Sequence, residues 1–363
     1  MIYFDYAATS LKRKEIFEEV IENFEKFNGN PNSLHSYGRD SRKIMDESRR
    51  IISKKLNANF NEIYFTSGAS ESNNTVLRNF ENTKIITTSI EHDSILNSIK
   101  NMNFKDVIYV NPNKDGIIDS CDVIKNIDEN TKLVCVMFVN NETGAIEPVY
   151  EIGDYLKDKK IHFHIDATQA LGHFDIDVKK LHCDSLSLSG HKIGGINGFG
   201  ILYWKGKFSN LIYGGEQERE KRGGTSFVIG SFTMAKAIEK AEKEREHIKK
   251  IKNYFLKKLN ENKFDYQING NTEKSSDHIL NLYLPWVSTE FLLTYMDLNS
   301  IAVSAGSACS AGSLNPSKVI EKMYNEERAK HSVRFSFGFK NTTDDVDEAF
   351  DVLKKLFEKR KND

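Results

Sequence analysis

The chain has 363 residues, of which 39% are hydrophobic, and its 51 basic and 52 acidic side chains leave a formal net charge of −1. This length allows one large domain and a smaller one, and the near-zero charge gives no electrostatic reason to expect nucleic acid or a membrane as a partner. The N-terminus lacks a signal-peptide pattern and no apolar run is long enough to span a bilayer, so we expect a cytoplasmic protein.

Short apolar runs alternate with helical patterns from about residue 60 to residue 205, which is typical of a mainly parallel sheet covered by helices. Seven strands are predicted over Glu62–Thr66, Lys84–Thr88, Val107–Val110, Leu133–Val139, Ile161–Ile165, Ser185–Ser189 and Phe199–Trp204. Intervening helices are predicted over Ser70–Asn79, Asp93–Lys100 and Tyr150–Lys159. A sheet of this kind binds ligands at the carboxyl ends of its strands.

After Gly230 the composition changes to a charged, amphipathic stretch, Ser231–Asn262, which predicts a long helix that links two domains. A strand, a helix, two strands and a helix are then predicted over His278–Leu284, Glu290–Leu298, Ile301–Val303, Val333–Phe337 and Asp345–Phe357. We therefore predict a large α/β domain over residues 12–250 and a small α+β domain formed by residues 1–11 and 251–363.

A single lysine follows the predicted strand Ser185–Ser189, within Ser189-Gly190-His191-Lys192. An amine whose pKa is lowered by lost hydration or by a nearby cation forms a Schiff base with an aldehyde such as pyridoxal phosphate. Small and hydroxyl neighbours at a strand end suit this role for Lys192. Taken alone, however, a surface lysine is the simpler interpretation.

Other strand ends carry polar residues, each with a plain structural alternative. The Gly68-Ala69-Ser70 turn suits a bound anion, or Ser70 is a helix cap. His92 suits a residue that stacks on a cofactor ring or moves protons, or it caps a helix. Asn141 lies in a segment that suits either a carboxylate or ring-oxygen contact or an ordinary turn.

Asp166 directly follows the strand Ile161–Ile165, where a buried carboxylate requires a cationic partner. A protonated pyridine nitrogen is such a partner, and a helix cap is the alternative. Arg334 lies in another β-like run, where it suits a bidentate carboxylate clamp or a structural salt bridge.

The cysteines are far apart and form no CxxC pair, which argues against a zinc knuckle or a disulfide framework. We expect free thiols at Cys121, Cys135, Cys183 and Cys309. Cys135 lies within an apolar strand, whereas Cys309 lies in a segment of mostly small residues, Val303–Ser313, without apolar periodicity. This pattern favours Cys309 as an accessible nucleophile.

Seven segments, spread in order over nearly the whole chain, resemble those of a known family. They are Tyr3-Phe4-Asp5-Tyr6-Ala7-Ala8-Thr9, Asn30-Pro31-Asn32-Ser33-Leu34-His35, Gly68-Ala69-Ser70-Glu71-Ser72-Asn73-Asn74, Asn140-Asn141-Glu142, Asp166-Ala167-Thr168-Gln169, Ser189-Gly190-His191-Lys192 and the loop around Cys309. The family is the cysteine desulfurases, which are pyridoxal-phosphate enzymes of the class V aminotransferase group with the type I fold. The chain departs from the family pattern after Lys192, at Gly194 and at Ile196-Asn197.

The resemblance implies roles for the matching residues. Contacts to pyridoxal phosphate are expected from Ala69, Ser70, His92, Asp166, Gln169, Ser189, His191, Lys192 and Thr225. Lys192 is the implied Schiff-base lysine, Asp166 the partner of the ring nitrogen, and Gln169 a contact of the phenolic oxygen. Thr225 is expected to reach the cofactor phosphate of a neighbouring subunit, while Asn141 and Arg334 hold the substrate carboxylate.

The resemblance also implies a homodimer that converts L-cysteine to L-alanine and leaves a persulfide on Cys309. Lys192, His92 and Cys309 are then the catalytic residues, and the sulfur passes to an acceptor such as an iron–sulfur scaffold or a tRNA-thiolation enzyme. Two alternatives stay open: a selenocysteine lyase or related lyase or aminotransferase, and a sulfur-relay protein without turnover. Plain transamination has no use for a mobile thiol, and the complete residue set argues against lost turnover.

Overall fold

The computed structural model describes residues 1–306 and 316–362. In these ranges the strands are β1 (Ile2–Tyr3), β2 (Ile63–Thr66), β3 (Lys84–Thr88), β4 (Asp106–Val110), β5 (Thr131–Met137), β6 (His162–Asp166), β7 (Ser185–Ser189), β8 (Gly200–Trp204), β9 (Gln267–Ile268), β10 (Ile279–Tyr283), β11 (Ile301–Ala302) and β12 (Ser332–Ser336). The helices are α1 (Lys14–Glu22), α2 (Ser36–Leu56), α3 (Ala69–Arg78), α4 (Asp93–Asn101), α5 (Ser120–Ile124), α6 (Val149–Leu156), α7 (Gln217–Glu220), α8 (Val228–Ala241), α9 (Arg245–Glu261), α10 (Thr289–Leu298), α11 (Lys318–Met323), α12 (Glu326–Ala329) and α13 (Thr343–Asn362).

A seven-stranded sheet organises the first part of the chain, with the strand order β2-β8-β7-β6-β5-β3-β4. Strand β8 runs antiparallel to both of its neighbours, and the other pairings are parallel. The predicted mainly parallel sheet and its α/β class are therefore confirmed. Strands β2, β3, β5, β6 and β7 all end at one edge of the sheet, so the residues that follow them meet there.

Both faces of this sheet are buried, and alternate residues of each strand face opposite sides. On one face Val134 and Val136 of β5 join a hydrophobic cluster that includes residues of α1, α2, α6 and α8. On the other face Leu133 and Cys135 join a cluster with residues of α3 and α4. The helices predicted after β2, β3 and β5 correspond to α3, α4 and α6.

A second core lies around a three-stranded antiparallel sheet with the order β12-β10-β9. Residues of α9, α10 and α13 pack with it, together with Phe4 near the N-terminus. Strand β1 pairs in parallel with β11, which joins the first residues of the chain to this C-terminal region. Helix α11, in contrast, packs with the core of the large sheet through Val319, Ile320 and Met323. The division at residues 12 and 250 remains a prediction.

The predicted helix over Ser231–Asn262 is two helices, α8 and α9, separated by a 3-10 turn at Glu242–Glu244. In this turn Glu244 accepts two hydrogen bonds of 2.6 Å from the buried guanidinium of Arg13. The ion pair ties the junction between the helices to the start of the chain. Within the described ranges, no helix is both long and apolar enough to cross a membrane.

Candidate active site

A cavity of about 330 Å³ opens at the carboxyl edge of the large sheet. It is lined by residues that follow five different strands and by Ala7, Ala8 and Arg334, which come from outside that sheet. Ten of the predicted site residues line it: Ala69, Ser70, His92, Asn141, Asp166, Gln169, Ser189, His191, Lys192 and Arg334. The other two predicted site residues are not among the described residues that line the cavity. Thr225 is exposed and is not among the lining residues, and Cys309 lies outside the described residues.

Lys192 lies in a short 3-10 helix, Gly190–Lys192, directly after β7. Its Nζ donates hydrogen bonds to the carbonyl oxygens of Ala7 at 2.7 Å and Ala8 at 2.9 Å. These carbonyls belong to the N-terminal segment, which therefore fixes the amine at the cavity wall. The side chain is partly buried rather than a solvated surface lysine.

Asp166 ends β6 and is 5% exposed. Its Oδ2 accepts from Asn73 Nδ2 at 2.8 Å, and its Oδ1 accepts from the Thr168 amide at 3.0 Å. Asn73 Oδ1 also lies 3.0 Å from Nε2 of the buried His164, whose pKa burial lowers to about 4. Since a carboxylate has about four lone-pair sites, Asp166 keeps acceptor capacity for a cationic donor in the cavity.

The other end of the cavity suits an anion. The first-turn amides of α3, which has ten residues, have no intrahelical acceptor, and Ser70 and Ser189 line the cavity beside them. Gly200 makes room for this turn, because a Cβ there would lie 2.5 Å from the Cα of Gly68. His191 is held through a 3.2 Å contact of its Nδ1 with Thr9 Oγ1. Burial lowers the pKa of His191 to about 3, so its ring is neutral near pH 7.

His92 both caps a helix and lines the cavity. Its Nδ1 accepts from the Ser94 amide at 3.1 Å at the start of α4. In the neutral ring this leaves the proton on Nε2. The capping alternative is therefore compatible with a chemical role, because the two ring nitrogens face different tasks.

Arg334, on β12, is 1% exposed and forms a salt bridge, the structural alternative to a carboxylate clamp, with Nη2 2.9 Å from Asp5 Oδ1. Its Nη1 donates to the Asn141 carbonyl at 2.7 Å. The Nε atom is buried and has no hydrogen-bond partner among the described residues. A guanidinium that is held on one side and has an unused donor on another suits a carboxylate ligand.

Described residues on both sides of the Cys309 segment lie beside Glu142. A Cβ at Gly306 would lie 3.6 Å from Glu142 Oε2, and the Ser317 hydroxyl makes a short hydrogen bond to the same oxygen. Ser304 also pairs with Arg334 through two backbone hydrogen bonds. The described residues before position 307 and after position 315 are thus held next to Glu142 and the cavity residue Arg334.

Comparison with known families gives one match that covers nearly the whole chain: the aminotransferase class-V model matches residues 2–349. The chain belongs to this family. Within the class-V family, it is 40% identical to a cysteine desulfurase IscS of Clostridium botulinum, over 99% of this chain and 95% of that protein. A solved structure of a NifS-like protein from Rickettsia africae superimposes with a TM-score of 0.89 at 30% identity and 99% coverage of both chains. The structure titled "SspA in complex with cysteine" gives 0.82 at 32% identity, over 93% of this chain and 99% of that one.

The departures from the family pattern are accommodated locally in this class-V chain. Gly194 has φ +85°, and a Cβ there would lie 2.8 Å from Arg13 Cγ, so a bulky residue does not fit. Asn197 lines the cavity, and its Oδ1 accepts from Lys12 Nζ at 2.5 Å. Lys12 Nζ also donates to the Gly195 carbonyl at 2.8 Å, which fixes the turn after Lys192.

Sequence reasoning missed some polar residues of the site. Asn73 belongs to the Gly68–Asn74 motif, which does not by itself indicate that this residue is fully buried and bridges His164 and Asp166. Asp5 and His278 contact Arg334 and Gln169 from segments 329 and 109 residues away. The sequence signal for Asn73 is weak: it is an amide residue three positions after Ser70, within the predicted helix Ser70–Asn79.

Proposed function

We propose that this protein is a pyridoxal-phosphate-dependent cysteine desulfurase that converts L-cysteine to L-alanine and transfers the sulfur to Cys309. The observation that carries the proposal is the shared cavity of Lys192, Asp166, His92 and Arg334. These residues supply an amine, a buried carboxylate, an imidazole and a guanidinium from four different elements. The relatives named cysteine desulfurase support the same reaction.

The donor set of the cavity fits pyridoxal phosphate. Lys192 would carry the aldehyde carbon, Asp166 would face the ring nitrogen, and the amide end of α3 with Ser70, Ser189 and His191 would take the phosphate. A further fit is Thr168 Oγ1, which is buried at the cavity and has no partner among the described residues. When bound, the cofactor supplies an electron sink that makes the substrate α-carbon acidic.

Different residues of the chain would then bind the substrate and transfer its protons. Arg334 Nε and the Asn141 amide hold the substrate carboxylate and orient its α-carbon toward Lys192. The Lys192 amine removes the Cα proton as a general base. His92 Nε2 manages the proton of the substrate thiol, because its Nδ1 is occupied by the cap of α4.

The last step is the transfer of the substrate sulfur to Cys309. Its thiolate attacks the substrate sulfur, an S–S bond forms as the substrate C–S bond breaks, and the carbon fragment takes up a proton and leaves as alanine. The enzyme keeps the sulfur as a persulfide, so no external oxidant is required. The described cysteines are poor candidates: burial raises the pKa of Cys135 and Cys183, and the exposed Cys121 lies on α5, outside the cavity lining.

We also propose that the protein forms a homodimer and passes its sulfur to an acceptor protein. Two copies are expected to form a homodimer in which Thr225 reaches the neighbouring cofactor phosphate, and the exposed apolar side chains of Leu34 and Tyr213 support such contacts. The persulfide is then passed to a sulfur-acceptor protein, such as an iron–sulfur scaffold or a tRNA-thiolation enzyme. The two-domain division at residues 12–250 belongs to the same proposal.

The test compares Cys309→Ala with a matched control, Cys121→Ala. With L-cysteine and a thiol reductant, the wild type should release one sulfide for each alanine. The control Cys121→Ala should release both products at the wild-type rate. Cys309→Ala should bind pyridoxal phosphate and cysteine but release no sulfide. Sulfide release that is unchanged in Cys309→Ala would remove the assigned role, and a wild type without bound cofactor would overturn the proposal. Selenocysteine assayed in parallel separates a desulfurase from a selenocysteine lyase.

A further inference from the structure

Gln169 makes two hydrogen bonds that fix which way its amide points. Its Nε2 donates to the Ala7 carbonyl at 2.9 Å, and its Oε1 lies 3.1 Å from Nε2 of His278. A carbonyl oxygen only accepts, so the amide nitrogen faces Ala7 and the amide oxygen must face His278. The second hydrogen on Gln169 Nε2 is left for an acceptor in the cavity that Gln169 lines.

The contact with Gln169 also fixes which nitrogen of His278 carries a proton. Because Gln169 Oε1 only accepts, His278 Nε2 must carry a hydrogen. Burial first, and then the neighbouring basic groups His173, Lys252, Arg334 and Lys192, hold the pKa of His278 well below its usual value. The ring is therefore neutral, its Nδ1 accepts, and the Ser276 hydroxyl in short contact with Nδ1 is the donor.

His173 packs on the face of the His278 ring. The two rings stack with centroids 3.6 Å apart and planes 4° from parallel. Lost hydration, with smaller effects of Arg245 and Arg13, lowers the pKa of His173 to about 3, so two neutral rings are in contact. His173 follows Gln169 in the chain, whereas His278 directly precedes β10 of the small sheet. The stack therefore joins the cavity edge to the second core.

We propose that His278 is a positioning residue that acts through Gln169: by occupying the amide oxygen, it directs one Nε2 hydrogen toward the phenolic oxygen of pyridoxal phosphate. This inference rests on the proposed function and deepens it. Without the His278 donor, Gln169 keeps only its hydrogen bond to the Ala7 carbonyl. Its amide plane can then rotate about that bond, and the cofactor oxygen loses a reliably placed hydrogen. A donor at this position stabilises the anionic form of the oxygen.

The test titrates the visible absorbance of the bound cofactor against pH in full-length holoenzyme variants. His278→Leu removes the donor and should raise the pH midpoint by about one unit, because a charge-assisted hydrogen bond is lost. His278→Gln places an amide N–H near the former ring Nε2 and should titrate like the wild type. Gln169→Leu should show the same rise as His278→Leu, and the double variant should show no further rise.

The outcomes separate the two levels of the proposal. A His278→Leu midpoint equal to that of the wild type, a shifted midpoint in His278→Gln, or additive shifts in the double variant would overturn the role of His278 alone. If His278→Leu does not fold, as judged by circular dichroism, the His278→Gln and Gln169→Leu midpoints still decide between these results. A wild type that binds no pyridoxal phosphate would overturn the proposed function together with this inference.

Discussion

The buried ion pair between Arg49 on α2 and Glu218 on α7 should be a main support of the edge of the large sheet. Each side chain is 5% exposed, and the Glu218 carboxylate accepts bidentate hydrogen bonds of 2.9 and 2.8 Å from the guanidinium. Glu218 also accepts from the Phe65 amide at 2.9 Å on edge strand β2. Phe65 is three residues before Gly68, so the pair fixes the strand that leads into the expected phosphate turn.

Glu218→Gln keeps the shape of the side chain but leaves the Arg49 charge buried without its counter-charge. Removal of one partner of a buried pair costs about 3–5 kcal/mol. The matched control is Glu47→Gln, which removes the partner of the adjacent Arg50. That pair is separated by 3.4 Å and is 64% and 65% exposed, so its loss should cost at most about 0.5 kcal/mol.

Urea unfolding of the cofactor-free variants measures both costs without a contribution from ligand binding. Tryptophan fluorescence is a suitable signal because Trp204 lies on β8, next to β2. The unfolding midpoint should fall several times further in Glu218→Gln than in Glu47→Gln. Equal shifts in the two variants would refute the reasoning.

Three further predictions concern the surroundings of the cavity. Burial raises the pKa of Glu91, the residue before His92, to about 8 from an ordinary value of 4.5. The protonated carboxyl group therefore favours the folded state fully below pH 4.5, and this contribution to stability is lost as the pH rises from 4.5 through 8. In the wild type we expect the urea midpoint to fall as the pH rises from 5 to 9, and Glu91→Gln, which stays neutral, should flatten that fall. An unchanged slope in Glu91→Gln would contradict this origin. Arg334→Lys keeps the positive charge but removes the Nε donor that is expected to hold the substrate carboxylate, so it should raise the KM for cysteine roughly 10-fold or more with unchanged cofactor absorbance. An unaltered KM would argue against this role. Gly200→Ala, whose Cβ would lie 2.5 Å from Gly68 Cα, should weaken pyridoxal-phosphate binding about 10-fold or more. The control is Gly206→Ala, which is strained by a φ of +97° but has nothing within 4 Å of its Cβ and lies outside the cavity lining, so it should lower stability and leave the affinity unchanged. Equal affinities of the two variants would show that the turn tolerates the displacement.

The sheet was predictable from the sequence because its strands are short apolar runs that end in polar or glycine-rich segments. Strands β3 and β7 have the predicted bounds, Lys84–Thr88 and Ser185–Ser189. Helix α2 was missed, since its 21 residues are strongly charged and its cap is unusual. Its N-terminus is capped by His35, whose Nδ1 accepts from the Gly38 amide, rather than by the serine or aspartate that normally signals a helix start.

The site was predictable where one residue type at a strand end limits the chemistry, as at Lys192 and Asp166. The residues that contact the buried charged side chains were not predictable from the sequence, because they come from remote segments of the chain. Asp5 contacts Arg334, and Glu218 contacts Arg49, across 329 and 169 positions of the chain. Such pairings depend on the packing of the two cores, and no local periodicity encodes them.

The proposed function depends most directly on Lys192 as the covalent anchor of the cofactor. Borohydride reduction of the purified protein, followed by peptide mass mapping, measures which lysine carries the pyridoxyl group. We expect the label on the peptide that contains Lys192, and no label there in Lys192→Ala. A label on another amine near the cavity, such as Lys12, or a wild type without any label, would contradict the account.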